Sequence, residues 1–183
     1  EIITDSVRFS VSMIDVTLDE SNVIVDNLTV TLKLNGDAEG NLTVTVGDTE
    51  FAQKLVGGAA SVDVIGLSPG TYTATVVYSG DDKYSIADKK VVLTVPKINS
   101  SLDNLTVQSD SVSVDFVNDA TGILTVNING KEYSAKVIDG IANVSIAGLA
   151  PGNYSAIVTY SGDNNYTNAF KSVSIEVPKI KIN

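Results

Sequence analysis

The 183-residue sequence predicts an all-β chain of two tandem β-sandwich domains, and three observations carry that expectation. The sequence repeats itself at a shift of 82 residues, its apolar residues recur at every second position, and turn-forming dipeptides separate the apolar runs.

The repeat sets the domain count. Residues Asn22–Lys97 align without a gap onto Asn104–Lys179, with 32 of 76 positions identical. The strongest blocks are Leu67-Ser-Pro-Gly-Thr-Tyr72 against Leu149-Ala-Pro-Gly-Asn-Tyr154, Tyr78-Ser-Gly-Asp81 against Tyr160-Ser-Gly-Asp163, and Val95-Pro-Lys97 against Val177-Pro-Lys179. This period exceeds the roughly 20 to 50 residues of solenoids and propellers, so each copy must close a core of its own. The expected division is an N-terminal strand at 1–13, domains at 14–97 and 98–179, and the start of a linker to a further domain at 180–183.

The period of two makes each copy β. In the second copy Val112, Val114 and Phe116 alternate with polar residues, followed by Leu124, Val126 and Ile128, then Val144 and Ile146, Val158 and Tyr160, and Val173, Ile175 and Val177. Such alternation marks strands with one buried face. Asn129-Gly130 and Asp139-Gly140 separate runs in the manner of two-residue hairpins, and Gly47-Asp48 and Gly57-Gly58 stand at the same places in the first copy. About seven antiparallel strands per copy, with a turn every eight to twelve residues, is the pattern of an immunoglobulin-like sandwich. One core is expected from Val30, Leu34, Leu42, Val44, Val62, Val64, Val76, Val91 and Leu93. The other is expected from Val112, Phe116, Leu124, Val126, Val144, Ile146, Val158, Val173 and Ile175. Tyr72 and Tyr154 follow Pro-Gly turns at the start of the sixth strand, where a tyrosine corner would bond its hydroxyl back to the turn.

Composition narrows the chemistry. A net charge of −10 and the absence of basic clusters exclude a nucleic-acid partner. No run approaches the roughly eighteen apolar residues of a membrane span. The chain has no His and no Cys, so the common zinc, haem and iron–sulfur ligand sets and the Ser-His-Asp triad cannot be built. No catalytic residue, cofactor or metal ligand is expected, and the chain reads as a non-enzyme. The turns at Asp81-Asp82 and Asp163-Asn164 offer too few oxygens for calcium and read as Asx-type turns. Lys89 and Lys171 fall in phase with inward residues of the last strand, where a long stem reaches water at the strand end. Without a buried Asn and acid beside them, an isopeptide staple is not expected.

Seven Asn-x-Ser/Thr triplets, at Asn27, Asn41, Asn99, Asn104, Asn143, Asn153 and Asn165, are candidate N-glycosylation sites or simply polar strand faces.

The succession Asp119-Ala-Thr-Gly122, Asn129-Gly-Lys131, Gly148-Leu-Ala-Pro-Gly-Asn-Tyr154, Tyr160-Ser-Gly-Asp-Asn-Asn-Tyr166 and Val177-Pro-Lys179 resembles the bacterial-type Ig-like repeats of adhesin-like surface proteins of methanogenic archaea. The resemblance covers about Asp15–Lys179. It implies a non-catalytic stalk module of an extracellular cell-surface protein. Its partners would be neighbouring Ig-like domains of the same array, and host or cell-surface glycans or proteins bound by the whole protein. Accessory domains of a carbohydrate-active surface enzyme are a further reading.

Residues 1–13 admit three readings. Val7, Phe9, Val11 and Met13 share one face of an alternating strand. That strand is an edge strand of the first domain, the last strand of a preceding one, or a donor that pairs with an identical subunit to build a filament by β-augmentation.

Overall fold

The computed structural model describes residues 11–116 and 119–179, which divide into two compact units at the boundary between Val95 and Pro96. The first contains β1 (Val23–Asp26), β2 (Thr29–Lys33), β3 (Asn41–Val46), β4 (Thr49–Lys54), β5 (Ala59–Asp63), β6 (Gly70–Tyr78) and β7 (Ala87–Val95). The second contains β8 (Leu105–Val107), β9 (Ser111–Asp115), β10 (Ile123–Ile128), β11 (Lys131–Lys136), β12 (Ile141–Ser145), β13 (Gly152–Tyr160) and β14 (Ala169–Val177). Among the described residues there is no helix, and hence none long and apolar enough to cross a membrane.

Each unit pairs a three-stranded with a four-stranded antiparallel sheet. The orders are β1-β2-β5 and β4-β3-β6-β7 in the first unit, and β8-β9-β12 and β11-β10-β13-β14 in the second. The fourth strand therefore joins the sheet of the third, sixth and seventh, which is the fibronectin type III-like variant of the immunoglobulin sandwich. A tight turn explains that choice. Gly47 (φ 56°) and the pair Asn129 (52°) and Gly130 (84°) take the left-handed backbone that two-residue hairpins need, and this holds β4 against β3 and β11 against β10.

The turn at Asp139-Gly140 differs from the hairpin that the sequence suggests. Ile138 and Ile141 do exchange both backbone hydrogen bonds, at 2.9 Å each, but β11 and β12 belong to different sheets. Val137 is buried and donates its N–H to Gly122 O at 2.9 Å, which extends the β10–β11 register by one pair, and the chain changes sheet only between Val137 and Ile141. Leu55 does the same toward Gly40 O in the first unit.

Two separate cores result. Val30, Leu42, Val44, Val64, Val76 and Leu93 are fully buried in one, and Val112, Leu124, Val126, Val144, Ile146 and Val158 in the other. Each such side chain contributes about 1.5 to 3 kcal/mol by leaving water. Among the expected core positions Leu34, Phe116 and Val173 are only partly buried, packed against the margin of their cluster. The cores also take in residues outside the strands: Leu18, Ala38, Leu55 and Tyr84 in one unit, and Leu102, Ala120, Val137 and Tyr166 in the other.

Removing one buried side chain tests the separation of the cores. Ile146→Ala should lower the unfolding free energy of the second unit by about 3 kcal/mol. Urea titration of the full chain should then show one transition shifted and the other unmoved.

Candidate functional site

Polar chemistry concentrates where two loops meet at the end of each sandwich. One loop carries Asp37-Ala-Glu-Gly40, or Asp119-Ala-Thr-Gly122 in the second unit. The other follows the sixth strand with Tyr78-Ser-Gly-Asp81 and Tyr84, or Tyr160-Ser-Gly-Asp163 and Tyr166. The loops lie almost in contact. A Cβ on Gly40 (φ +92°) would sit 2.5 Å from Gly80 O, and one on Gly122 (φ +100°) 2.6 Å from Gly162 O. Glycine is therefore required by both backbone angle and space. Ser79 Oγ accepts the Asn41 N–H at 2.9 Å, and Ser161 Oγ accepts that of Ile123 at 3.0 Å.

A single carboxylate organises each cluster. Asp81 Oδ1 accepts the N–H groups of Lys83 and Tyr84, both at 2.7 Å. Its Oδ2 accepts the Glu39 N–H at 2.8 Å and the Tyr78 hydroxyl at 2.9 Å. Asp163 repeats the pattern, with Oδ1 taking the N–H groups of Asn165 (2.8 Å) and Tyr166 (2.9 Å), and Oδ2 taking the Thr121 N–H (2.7 Å) and hydroxyl (3.0 Å). Tyr160 is fully buried, and its hydroxyl donates to Thr121 O at 2.6 Å. Tyr84 Oη donates to Asp37 Oδ1 at 2.8 Å, and Tyr166 Oη to Asp119 Oδ1 at 2.6 Å. Asp37 also pairs with Lys83.

These bonds shift the titrations away from neutrality. The Glu39 N–H, followed by those of Lys83 and Tyr84, holds the Asp81 carboxyl down to about 2 against the opposing effect of burial. Burial pushes the Asp163 carboxyl upward, yet the N–H groups of Thr121, Tyr166 and Asn165 outweigh it and bring it to about 2. Burial, reinforced by Asp163, raises the Tyr160 hydroxyl to about 12. The Asp119 carboxylate, reinforced by burial, raises Tyr166 to about 12. Tyr78 is raised by burial and by its bond to Asp81. Asp81 and Asp163 are consequently ionised and Tyr160 and Tyr166 protonated across the neutral range, and their bonds latch the two loops of each unit together.

Among the described residues no three carboxylates gather as a metal site would require, and the Asp81 and Asp163 oxygens are already occupied by protein donors. The outer side of the first cluster is an open depression of about 610 Å³ bordered by Asp37, Glu39, Lys54, Asp81, Asp82 and Lys83.

The remaining sequence candidates lie apart from the latches. Tyr72 Oη donates to Ser68 O and Tyr154 Oη to Ala150 O, each at 2.7 Å and each four residues back. Lys89 Nζ reaches Glu20 Oε1 at 2.6 Å, and Lys171 Nζ reaches Leu102 O at 3.1 Å with Asp103 at 3.7 Å. Asn41, Asn143 and Asn153 are exposed on strands, Asn99 and Asn104 are exposed ahead of β8, and Asn27 (φ 52°) occupies the β1–β2 turn. Asn165 is half-buried, and the hydroxyl of its triplet partner Thr167 accepts the Ser100 N–H at 3.0 Å. Val11 and Met13 are exposed outside any strand, while Val7 and Phe9 lie outside the described residues. Sequence reasoning missed Asp37, Asp119, Tyr84 and Tyr166 as latch partners. Their identity between the two copies was the available signal.

The fold and the latches define a tandem immunoglobulin and fibronectin type III-like sandwich chain. No known family profile matches it, and no curated protein matches it. Several solved structures resemble it, among them the three that follow. One is a Ca2+-stabilized adhesin that helps an Antarctic bacterium reach out and bind ice, with 21% identity over 81% of this chain and 43% of that one, at a TM-score of 0.30. Another is a 1.5-MDa bacterial ice-binding adhesin, with 20% identity over 88% and 59%, at a TM-score of 0.32. The third is the FN1–FN3 segment of chicken CNTN1, with 14% identity over 87% and 66%, at a TM-score of 0.35. The chain thus spans about half the length of the two adhesin structures.

Two predictions follow from the polar contacts. A carboxyl whose pKa falls on folding contributes stability above its unfolded value and loses that contribution as pH drops through the folded value. Stability should therefore decline between about pH 4 and pH 2. The raised tyrosines act in the opposite sense, contributing fully below about pH 10 and losing it as pH climbs through about 12. Asp163→Asn should flatten the acid limb of the second unit in urea titrations at pH 7 and pH 3. An unchanged limb would remove Asp163 as its source.

Tyr154 offers a separate test at the other loop. Tyr154→Phe should cost the second unit about 1 kcal/mol through the lost hydroxyl bond, and Tyr154→Ala about 3 kcal/mol through the lost ring. Equal stability of the Phe variant and the parent would assign the whole effect to packing.

Proposed function

We propose that this chain is a non-catalytic spacer, a pair of Ig-like stalk repeats from an extracellular, cell-surface adhesin-like protein. The observation that carries the reading is the identical seating of each unit's leading segment. Ile14 donates to Lys83 O at 2.8 Å and accepts from Ser85 N–H at 2.9 Å, and Ile98 repeats this with Asn165 O at 2.8 Å and Thr167 N–H at 2.9 Å. A unit that receives the chain in one fixed way and releases it from its last strand is suited to serial repetition. Only Pro96 and Lys97 separate the end of β7 from Ile98, and the proline fixes one backbone angle of that connector. The excess of acidic residues keeps such a surface soluble. The finer assignment, to the adhesin-like proteins of methanogenic archaea, rests on the sequence resemblance.

A second reading is a filament subunit that donates its N-terminal strand to a neighbour. The exposure of Val11, at 93%, and of Met13 favours it, because an apolar segment of that kind gains by pairing with a sheet edge. Single-particle imaging of the purified chain separates the two. The spacer reading expects discrete particles at every concentration, and regular fibres that vanish on deletion of residues 1–13 would replace it with the filament.

A further inference from the structure

We infer that the outer face of the β11-β10-β13-β14 sheet in the second unit is a binding surface for an uncharged glycan chain, with Phe170 as the platform on which a sugar ring stacks. This goes beyond the spacer reading, which gives the repeats no ligand of their own. Phe170 is 78% exposed, Ile157 52% and Ile123 46%, and the three share this face because the residues beside them in the strands, Leu124, Ala156 and Val158, point into the core. The pairing register sets their neighbours. One row across the sheet reads Ser134, Thr125, Thr159 and Phe170, and the next reads Glu132, Asn127, Ile157 and Ser172. Side chains in such rows lie side by side.

The fold does not ask for these residues. The first unit keeps the same sheet order and register, yet it carries Asp88 in place of Phe170, Lys90 in place of Ser172, Thr75 in place of Ile157 and Asn41 in place of Ile123. An aromatic ring left in water gains nothing from burial, so a phenylalanine where the twin has an aspartate is the mark of a contact surface. The polar groups around the ring are open as well. Among the described residues the hydroxyls of Ser134, Thr125, Thr159 and Ser172 bond to no other protein group, whereas Thr29 and Thr31 on the first unit's other sheet bond Asp63 at 2.8 Å and Ser61 at 2.9 Å. Asn127 uses its Oδ1 on the Gly130 N–H at 3.1 Å and keeps its amide donors for the face.

Charge selects the partner. In a chain of net charge −10 the centre of this face is neutral, and its charges stand at the margins, Glu132 and Lys136 on the edge strand β11 and Glu176 toward the end of β14. A charged partner finds no complement there, and an anionic lipid surface finds no basic cluster. A second copy fits poorly, because three apolar side chains set among hydroxyls fall well short of the roughly 800 Å² per partner, with an apolar centre, of a stable interface. A pyranose ring matches both parts of the face. Its axial C–H groups suit the electron-rich face of an aromatic ring, and its rim of hydroxyls pairs with Thr, Ser and Asn side chains. Phe170 supplies the platform, the Ser134-to-Phe170 row supplies the hydroxyls, and Ile157, one strand and one row away, extends the apolar strip beneath the next sugar of a chain.

Titration of the isotope-labelled full chain with cellohexaose, mannohexaose and hexa-N-acetylchitohexaose, followed through amide chemical shifts, tests the surface. At least one sugar should move the amides of Thr125, Thr159 and Phe170 and leave their counterparts Thr43, Val77 and Asp88 in place. Phe170→Ala should weaken that binding about tenfold or more, the loss of one aromatic anchor, while Phe170→Tyr, which keeps the ring, should bind within about twofold of the parent. Both variants should unfold at the parent's urea midpoint, since the ring is exposed. The inference is overturned when none of the sugars moves those amides at millimolar concentration, or when Phe170→Ala binds as the parent does. It is also overturned when the same amides shift with protein concentration alone, which would assign the face to a second copy. These results leave the spacer reading where imaging puts it, and fibres in imaging would remove that reading without altering the titration.

Discussion

Where the two sheets of a sandwich meet at their ends, the chain leaves its ladders and backbone N–H groups lose their strand partners. In each unit one aspartate meets that constraint. Asp81 and Asp163 each collect three backbone N–H groups, from both sides of the gap between loops, and the loop approach, the glycine requirement and the burial of the tyrosines all depend on this. An ionised carboxylate suits the task because it accepts several charge-assisted bonds and donates none. The tyrosines beside it bury a ring in the core and place a hydroxyl at the polar end, so that one residue serves both environments.

Comparison of the two copies separates what the fold needs from what it tolerates. The latch residues Asp, Ala, Gly, Tyr, Ser, Gly, Asp and Tyr are identical at all eight positions. The outer face of the four-stranded sheet is free to vary. Asp88, Thr75 and Asn41 in the first unit are replaced by Phe170, Ile157 and Ile123 in the second, where Phe170 is 78% exposed. The lysines at the head of the last strand show intermediate behaviour. Lys89 meets the side chain of Glu20, while Lys171 turns to Leu102 O with Asp103 at longer range. The shared requirement there is an acceptor for an ammonium whose stem packs along the strand, and several acceptors meet it.

The sequence by itself determined what depends on near neighbours along the chain. Alternation in Leu124, Val126 and Ile128 marks a strand with one buried face because successive side chains point to opposite sides. Asn129-Gly130 marks its end because few residues take a left-handed backbone without strain. The repeat settled that there are two such units, each with its own core. Tertiary structure alone decided what depends on distant partners. Tyr84 is buried in a loop because Asp37, 47 residues away, accepts its hydroxyl, and Asp81 is fixed in charge because Glu39, 42 residues away, donates to it. No period or dipeptide encodes such pairs. The sheet change after Asp139-Gly140 and the parallel seating of Ile14 and Ile98 are of the same kind. Each is set by which backbone groups remain without a partner once the two sheets have closed on their core.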